Sequence, residues 1–295
     1  MSTTRCRMRL WPPSFWPQLS TARHQVQTSK AFSSGWRRCL PRANSSLGSR
    51  QLLFLHLEKW TRMKFLEPAR PGVVGDGRPG EKRIYRVPVF TAAFCRALLE
   101  ELEHFEQSDL PKGRPNTMNN YGVLLHELGL DEPVVTPLRE RFLQPLTALL
   151  YPDCGGGWLD SHRAFVVKYA PGQDRELGCH YDNAELTLNV ALGKAFTGGA
   201  LYFGGLFQAP TALTRPLEVE HVVGQGILHR GGQLHGARPL GTGERWNLVV
   251  WLRASAVRNR LCPMCCRKPD LVDDEGFGDG FTREEPTTVD VCALT

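Results

Sequence analysis

Between Leu186 and Leu192 every second residue is aliphatic: Leu186, Leu188, Val190 and Leu192 fall on one face, Thr187, Asn189 and Ala191 on the other. Period two marks a β-strand, because successive side chains of an extended backbone point to opposite sides. The run RWNLVVWLR (245–253) repeats the pattern and gathers Arg245, Asn247, Val249 and Trp251 on one face. Short segments of this kind, punctuated by Gly and Pro, run from the glycines at 155–157 to residue 254. Such a succession predicts an antiparallel double-stranded β-helix, the jelly-roll fold, in a chain that is mainly β with supporting α-helices.

Metal-binding residue types cluster at the edge of this pattern. In HYDNAELTLNVALG (180–193), read as one strand, His180 and Asp182 project the same way and reach one ion. An H-x-D pair alone is weak, since a strand histidine is usually just hydrogen-bonded. His235 is the candidate third ligand. Two histidines and one carboxylate make the facial ligand set of non-heme Fe(II) oxygenases, which leaves three coordination positions open. His229 is the rival, as it too falls on an inward strand face; its other reading is a core or rim histidine. Arg245 follows His235 by ten residues. Its guanidinium can clamp a carboxylate with two parallel hydrogen bonds, a geometry lysine cannot reproduce.

The segments FVVKYAPG (165–172), HYDNAELTLNVALG (180–193), TGGALYF (197–203) and HGARPLGTGERWNLVVW (235–251) resemble the Fe(II)- and 2-oxoglutarate-dependent dioxygenases, in the branch of prolyl and lysyl hydroxylases. The resemblance leaves out residues 1–80. It implies that His180, Asp182 and His235 bind Fe(2+) and that Arg245 binds the distal carboxylate of 2-oxoglutarate. Tyr169 lines the co-substrate pocket, and Thr187 and Asn189 stand behind it. It favours His235 over His229, because only His235 has the arginine in the family's register. The implied chemistry uses O2, decarboxylates 2-oxoglutarate to succinate and CO2, and hydroxylates a substrate, with L-ascorbate as reductant. Related halogenases lack the carboxylate ligand, so Asp182 favours hydroxylation. A protein side chain is the substrate by analogy; a small-molecule substrate and a non-catalytic binding module stay open.

Residues 1–50 hold nine Lys and Arg and no Asp or Glu; subtracting these nine from 36 basic residues leaves 27 against 30 acidic ones in the remainder. That balance gives no support to a nucleic-acid partner. Residues 1–80 read as a basic, disordered segment and linker, ending in the Pro- and Gly-dense stretch 67–82. Their Arg- and Ser-rich composition is also that of a mitochondrial transit peptide, which Pro12, Pro13 and Pro17 argue against. Residues 1–30 lack a secretory apolar core, no run suits a membrane span, and the nine cysteines are an odd count. An intracellular location, cytoplasmic or nuclear, is the expectation, and collagen is not an expected substrate.

Residues 81–157 are expected to form a helical support region, 158–255 the jelly-roll domain and 256–295 a Cys-containing acidic tail. IYRVPVF (84–90) reads as the first strand. Helical stripes run from Thr91 to Ser108 and from Pro137 to Leu150, with Thr91 and Thr136 as caps and Pro145 as a kink. RPNTMNNYG (114–122) reads as a turn, or else as a loop facing substrate or co-substrate. His104, His126, His162 and His221 read as non-ligands, Lys168 as solvated and Cys179 as outward-facing. In CPMCC (262–266) the spacing is half that of a zinc site. Reduced thiols are the default there, with zinc through Cys262, Cys265, Cys266 and Cys292 as the alternative.

Overall fold

The computed structural model describes residues 72–73, 83–206 and 216–271. Among the described residues, thirteen strands lie in three sheets. The large sheet runs in the order β1 (Gly72–Val73), β2 (Tyr85–Pro88), β10 (Gln225–Arg230), β6 (Leu186–Gly193), β13 (Arg245–Arg253), β4 (Ser161–Tyr169), β3 (Gly122–Leu124). A second sheet holds β5 (Leu177–His180), β11 (Gln233–Ala237), β8 (Leu201–Leu206) and β9 (Leu217–Val219), and β7 (Phe196–Gly198) pairs with β12 (Leu240–Gly243). Every pairing in the two larger sheets is antiparallel. From β4 onward the chain passes back and forth: β4, β6, β10 and β13 enter the large sheet, and β5, β8 and β11 the small one. That winding is the jelly roll the alternation predicts.

The two faces of the large sheet do different work. Leu186, Leu188, Val190 and Leu192 of β6 join Trp246, Leu248, Val250 and Leu252 of β13 in an outer core, which helix α1 (Ala92–Gln107) covers with Phe94, Leu98, Leu99, Leu102 and Phe105. The inner face carries Thr187, Asn189, Arg245 and Asn247 towards the small sheet, where Phe203, Leu201 and Ala237 form an apolar patch with Ile84 and Ile227. Thr91 caps α1 as predicted, its Oγ accepting the Phe94 N–H at 3.1 Å.

Four expectations need correction. The first described strand is β1, within the stretch read as linker; it pairs Gly72 with Arg86 and Val73 with Tyr85. Thr136 is no cap, as its φ of −58° and ψ of −52° lie inside a helical run. That run begins in wide π-helical turns at Asp131–Val135 and Leu138–Leu143 before the α-helical α2 (Gln144–Leu150). Pro133, Pro137 and Pro145 each withhold an N–H, and the ladder reaches one residue further back: the Gln144 N–H donates to the Arg139 carbonyl. Lys168 is buried, with Nζ 2.6 and 2.9 Å from the Glu106 carboxylate and 4.8 Å above the Trp246 ring. The outer face of β4 lies against α1 and not against water.

Leu188 is fully buried at the junction of β6 with this outer core. Leu188→Ala should destabilise the fold by about 2–5 kcal/mol, read as a lowered denaturant midpoint with unchanged slope.

Candidate metal centre

β5 and β11 pair so that His235 stands directly opposite His180. Their ring centroids are 4.3 Å apart. Asp182 reaches them differently from the expectation, because β5 ends at His180 and β6 begins only at Leu186. The carboxylate comes from the turn between two sheets. Its backbone N–H donates to the Gly231 carbonyl at 3.0 Å, and the Ala184 N–H to the Asp182 carbonyl at 2.8 Å. Gly231 has to be glycine, since a Cβ there would lie 1.8 Å from the Ala184 oxygen. The turn is also gripped from the end of β13 and from the helix that follows it. Arg253 Nε donates to the Asn183 carbonyl at 3.1 Å, and the buried Arg258 of α3 (Ser255–Arg258) donates to Asn183 Oδ1 at 2.9 Å and to Glu185 at 3.2 Å.

Asp182 Oδ1 lies 3.6 Å from His180 Nε2, and Oδ2 lies 3.4 Å from His235 Nε2. All three ligand atoms fall within 4.8 Å of one another, and among the described residues no other group of three His, Cys, Asp or Glu converges so. Bonds of about 2.0–2.2 Å to a shared ion bring donor atoms on one face to about 3 Å, so the cluster fits a cation with little adjustment. Each imidazole is already oriented for it. The Nδ1 atoms of His180 and His235 are each 2.8 Å from a backbone carbonyl, of Gly178 and Gln233. A carbonyl only accepts, so Nδ1 carries the proton and Nε2 offers its lone pair inward. Thr187 donates its hydroxyl to Asp182 Oδ2 at 2.6 Å.

Burial opposes ionisation of Asp182, yet His235, His180 and His229 hold its pKa well below the usual carboxylate range. Burial lowers the His180 pKa, but the Asp182 hydrogen bond and charge outweigh it and raise the pKa overall. At His235 burial wins and lowers it. The rival His229 sits on β10 with its ring 4.6 Å from that of His235, outside the ligand cluster, and burial pushes its pKa to about 3. It is a neutral wall beside the centre.

Arg245, at the start of β13, is 2 % exposed. Its guanidinium lies 4.1 Å over the Tyr169 ring and donates to the Gly199 carbonyl. Among the described residues no carboxylate pairs with it, and its buried Nε has no partner. A buried guanidinium without a countercharge is costly, so this position calls for an anion. Tyr169 Oη in turn accepts from the buried Asn119 Nδ2 at 3.0 Å, which brings the 114–122 loop to Tyr169. The sequence leaves that loop undecided between a turn and a site-facing segment, and its paired asparagines are the available signal. Asn189 lies deeper, accepting from Asn247 Nδ2 at 2.6 Å in a small cavity with His221 and Arg86. His104 and His126 are exposed, and Cys179 is exposed as expected. Cys262 is buried while Cys265 is exposed; among the described residues no three cysteines converge as ligands, and Cys292 lies outside them.

Residues 77–156 match the model of the OGFOD2-like domain. The chain is 94% identical over 215 residues, covering 73% of this chain and 61% of the relative, to human 2-oxoglutarate and iron-dependent oxygenase domain-containing protein 2. The chain thus spans less than two thirds of that relative's length. Over 132 residues it is 30% identical to rat procollagen-lysine,2-oxoglutarate 5-dioxygenase 1, covering 41% of this chain and 18% of that protein. A solved prolyl 4-hydroxylase structure from Phytophthora capsici superposes with a TM-score of 0.47 at 17% identity, covering 75% of this chain and 70% of that one. The sequence relatives uphold the resemblance to 2-oxoglutarate- and iron-dependent oxygenases read from the four motifs.

Two outcomes follow for metal binding. Thr187→Val removes the hydroxyl that fixes Asp182 and should weaken Co(II) affinity by about 10- to 100-fold, read from the Co(II) visible bands. A metal ion competes with the proton on His180, whose pKa is raised, while Asp182 stays ionised. Co(II) affinity should therefore climb as pH rises through the His180 pKa and level off above it, which a titration at fixed ionic strength checks.

Proposed function

We propose that the chain is an Fe(II)- and 2-oxoglutarate-dependent dioxygenase that hydroxylates a protein side chain. The observation that carries this reading is a cation-ready triad in the same roll as a buried guanidinium that has no acidic partner among the described residues. His180, Asp182 and His235 would hold Fe(2+), leaving positions open for the keto acid and O2. Arg245 would bind the far carboxylate of 2-oxoglutarate, with Tyr169 beside it. When bound, iron and co-substrate together supply the oxidation: C–H, 2-oxoglutarate and O2 give C–OH, succinate and CO2.

The protein's own part is orientation. Gly178 and Gln233 fix both imidazole tautomers, Thr187 fixes the carboxylate, and the inner face of β13 sets the depth at which Arg245 waits. Asn189 lines the floor of the roll and would act through Asn247. A binding module without metal or co-substrate would leave Arg245 buried and unpaired, which disfavours that alternative. A protein side chain is preferred to a small molecule as substrate because the rat relative is named for a lysine of procollagen, and L-ascorbate is proposed as the reductant because the family resemblance of the four motifs implies it. Among the described residues no helix is long and apolar enough to cross a membrane. An intracellular site of action, cytoplasmic or nuclear, is our reading of the odd cysteine count.

The deciding measurement is anaerobic. The 295-residue chain, given Fe(II) and 2-oxoglutarate, should show the weak visible charge-transfer band of a chelated keto acid. Asp182→Ala should abolish it. Arg245→Ala should keep metal binding but weaken 2-oxoglutarate by roughly 10- to 100-fold, the scale of a lost charge-assisted hydrogen-bond pair. Folded wild-type protein that gives no band at saturating ligand would sink the proposal.

A further inference from the structure

The 114–122 loop contains a chain of hydrogen bonds whose direction is set at one end by the backbone. The Met118 and Asn119 N–H groups, 2.8 and 2.7 Å away, both point at one side-chain atom of Asn116. Backbone N–H groups only donate, so that atom is Oδ1 and the other end of the amide is the NH2. Asn116 Nδ2 then donates to Asn119 Oδ1 at 3.0 Å. The NH2 of Asn119 is thereby turned to Tyr169 and donates to its Oη at 3.0 Å. Neither amide can flip without setting donor against donor.

The loop is pinned where this relay needs it. Asn120 binds the Asp174 carboxylate through its N–H at 2.7 Å and its side chain at 2.9 Å, and the Lys168 N–H donates to the Tyr121 carbonyl at 3.0 Å. Gly122 closes the loop at φ 149°, where a Cβ would lie 1.9 Å from the Val166 oxygen. Asn119 is 1 % exposed, so water does not compete for its amide.

The consequence falls on Tyr169. Its oxygen already accepts from Asn119, and no described residue accepts its proton. The hydroxyl must donate to whatever lies beside the Arg245 guanidinium, which stands 4.1 Å over the same ring. We propose that Asn119, oriented by Asn116, is a positioning residue that makes Tyr169 an obligate donor, so that Tyr169 and Arg245 together select a carboxylate over its neutral isostere at the far end of the co-substrate. This rests on the co-substrate reading above and adds a source of specificity to it.

Asn116→Asp tests the relay at a distance from the ligand. The carboxylate it introduces accepts the same two backbone N–H groups but has no NH2 to give. Asn119 would then turn its own NH2 towards that carboxylate and its oxygen towards Tyr169, which would spend its proton on Asn119. Calorimetry on the full chain with Mn(II) in place of iron would compare 2-oxoglutarate with 2-oxoglutaramate, its distal amide. The preference for the carboxylate should drop about tenfold in Asn116→Asp, the scale of one charge-assisted hydrogen bond. In a Tyr169→Phe background the same substitution should leave the preference unchanged, which separates the relay from the added charge. Asn119→Leu, which keeps bulk and removes the donor, should lower the preference too and serves if Asn116→Asp does not fold. Equal weakening of both ligands, or an unchanged preference, would overturn the relay while leaving the co-substrate reading intact. Wild-type protein that binds neither ligand with Mn(II) overturns both.

Discussion

The pairing of β6 with β13 is the constraint on which the remaining architecture depends. It sets Asn189 opposite Val249, Asn247 opposite Ala191 and Thr187 opposite Trp251, and so lines the polar residues of both strands along the inner face. Both faces are buried, the outer one under α1 and the inner one inside the roll, which makes register strict. A slip of one residue would place Asn189 and Arg245 against Leu98 and Leu102, and Leu188 and Leu248 in the cavity. Each such exchange strands a polar group in the core, so the sequence tolerates a single alignment. The approach of Thr187 to Asp182 is a consequence of that alignment, whereas Arg245 lies past the register shift after Trp246 and is placed by its pairing with Tyr169 of β4.

Charge inside the roll is balanced in two separate places. At the mouth, Asp182 is surrounded by three imidazoles and stays ionised in spite of its burial. Further in, Arg245 has a tyrosine face and a carbonyl but no acid. A cation at the first place and an anion at the second would satisfy both. The same reasoning explains why His229 can lie so close without joining the ligand set: burial keeps it neutral, so it adds no repulsion for a metal ion.

The legible parts of this structure are those written in local period. Alternation in 186–192 and 245–253 locates the two central strands, and the stripe Phe94, Leu98, Leu99, Leu102, Phe105 locates α1 with its cap. The identity of the triad is legible because three residue types with a fixed chemistry recur at a recognisable spacing. The way they meet is not. Alternation puts Asp182 on a strand, whereas it comes from a turn whose shape depends on Gly231, far along the chain. Lys168 alternates correctly away from Tyr169, but no local rule states that a helix from residues 92–107 will cover that side. The π-helical turns escape a reading of the sequence because proline arithmetic predicts a break more readily than a widened ladder.

Residues outside the roll complete its chemistry as much as those within. The turn bearing Asp182 is tied to its surroundings by the Asp182 N–H on the Gly231 carbonyl and the Glu185 N–H on the Leu252 carbonyl, and it is held further by the Glu185 carboxylate, which accepts the Ala254 N–H at 2.6 Å and pairs with Arg258, and by the two arginines that grip Asn183. On the opposite side the 114–122 loop sets the hydroxyl of Tyr169. Strands 158–255 alone would therefore lack two of these supports, Arg258 behind Asn183 and Glu185 and the 114–122 loop at Tyr169. Buried hydrogen-bonded arginines are expensive to order and add little net stability, so their concentration behind one carboxylate is better explained by the geometry they impose on Asp182 than by the strength of the fold.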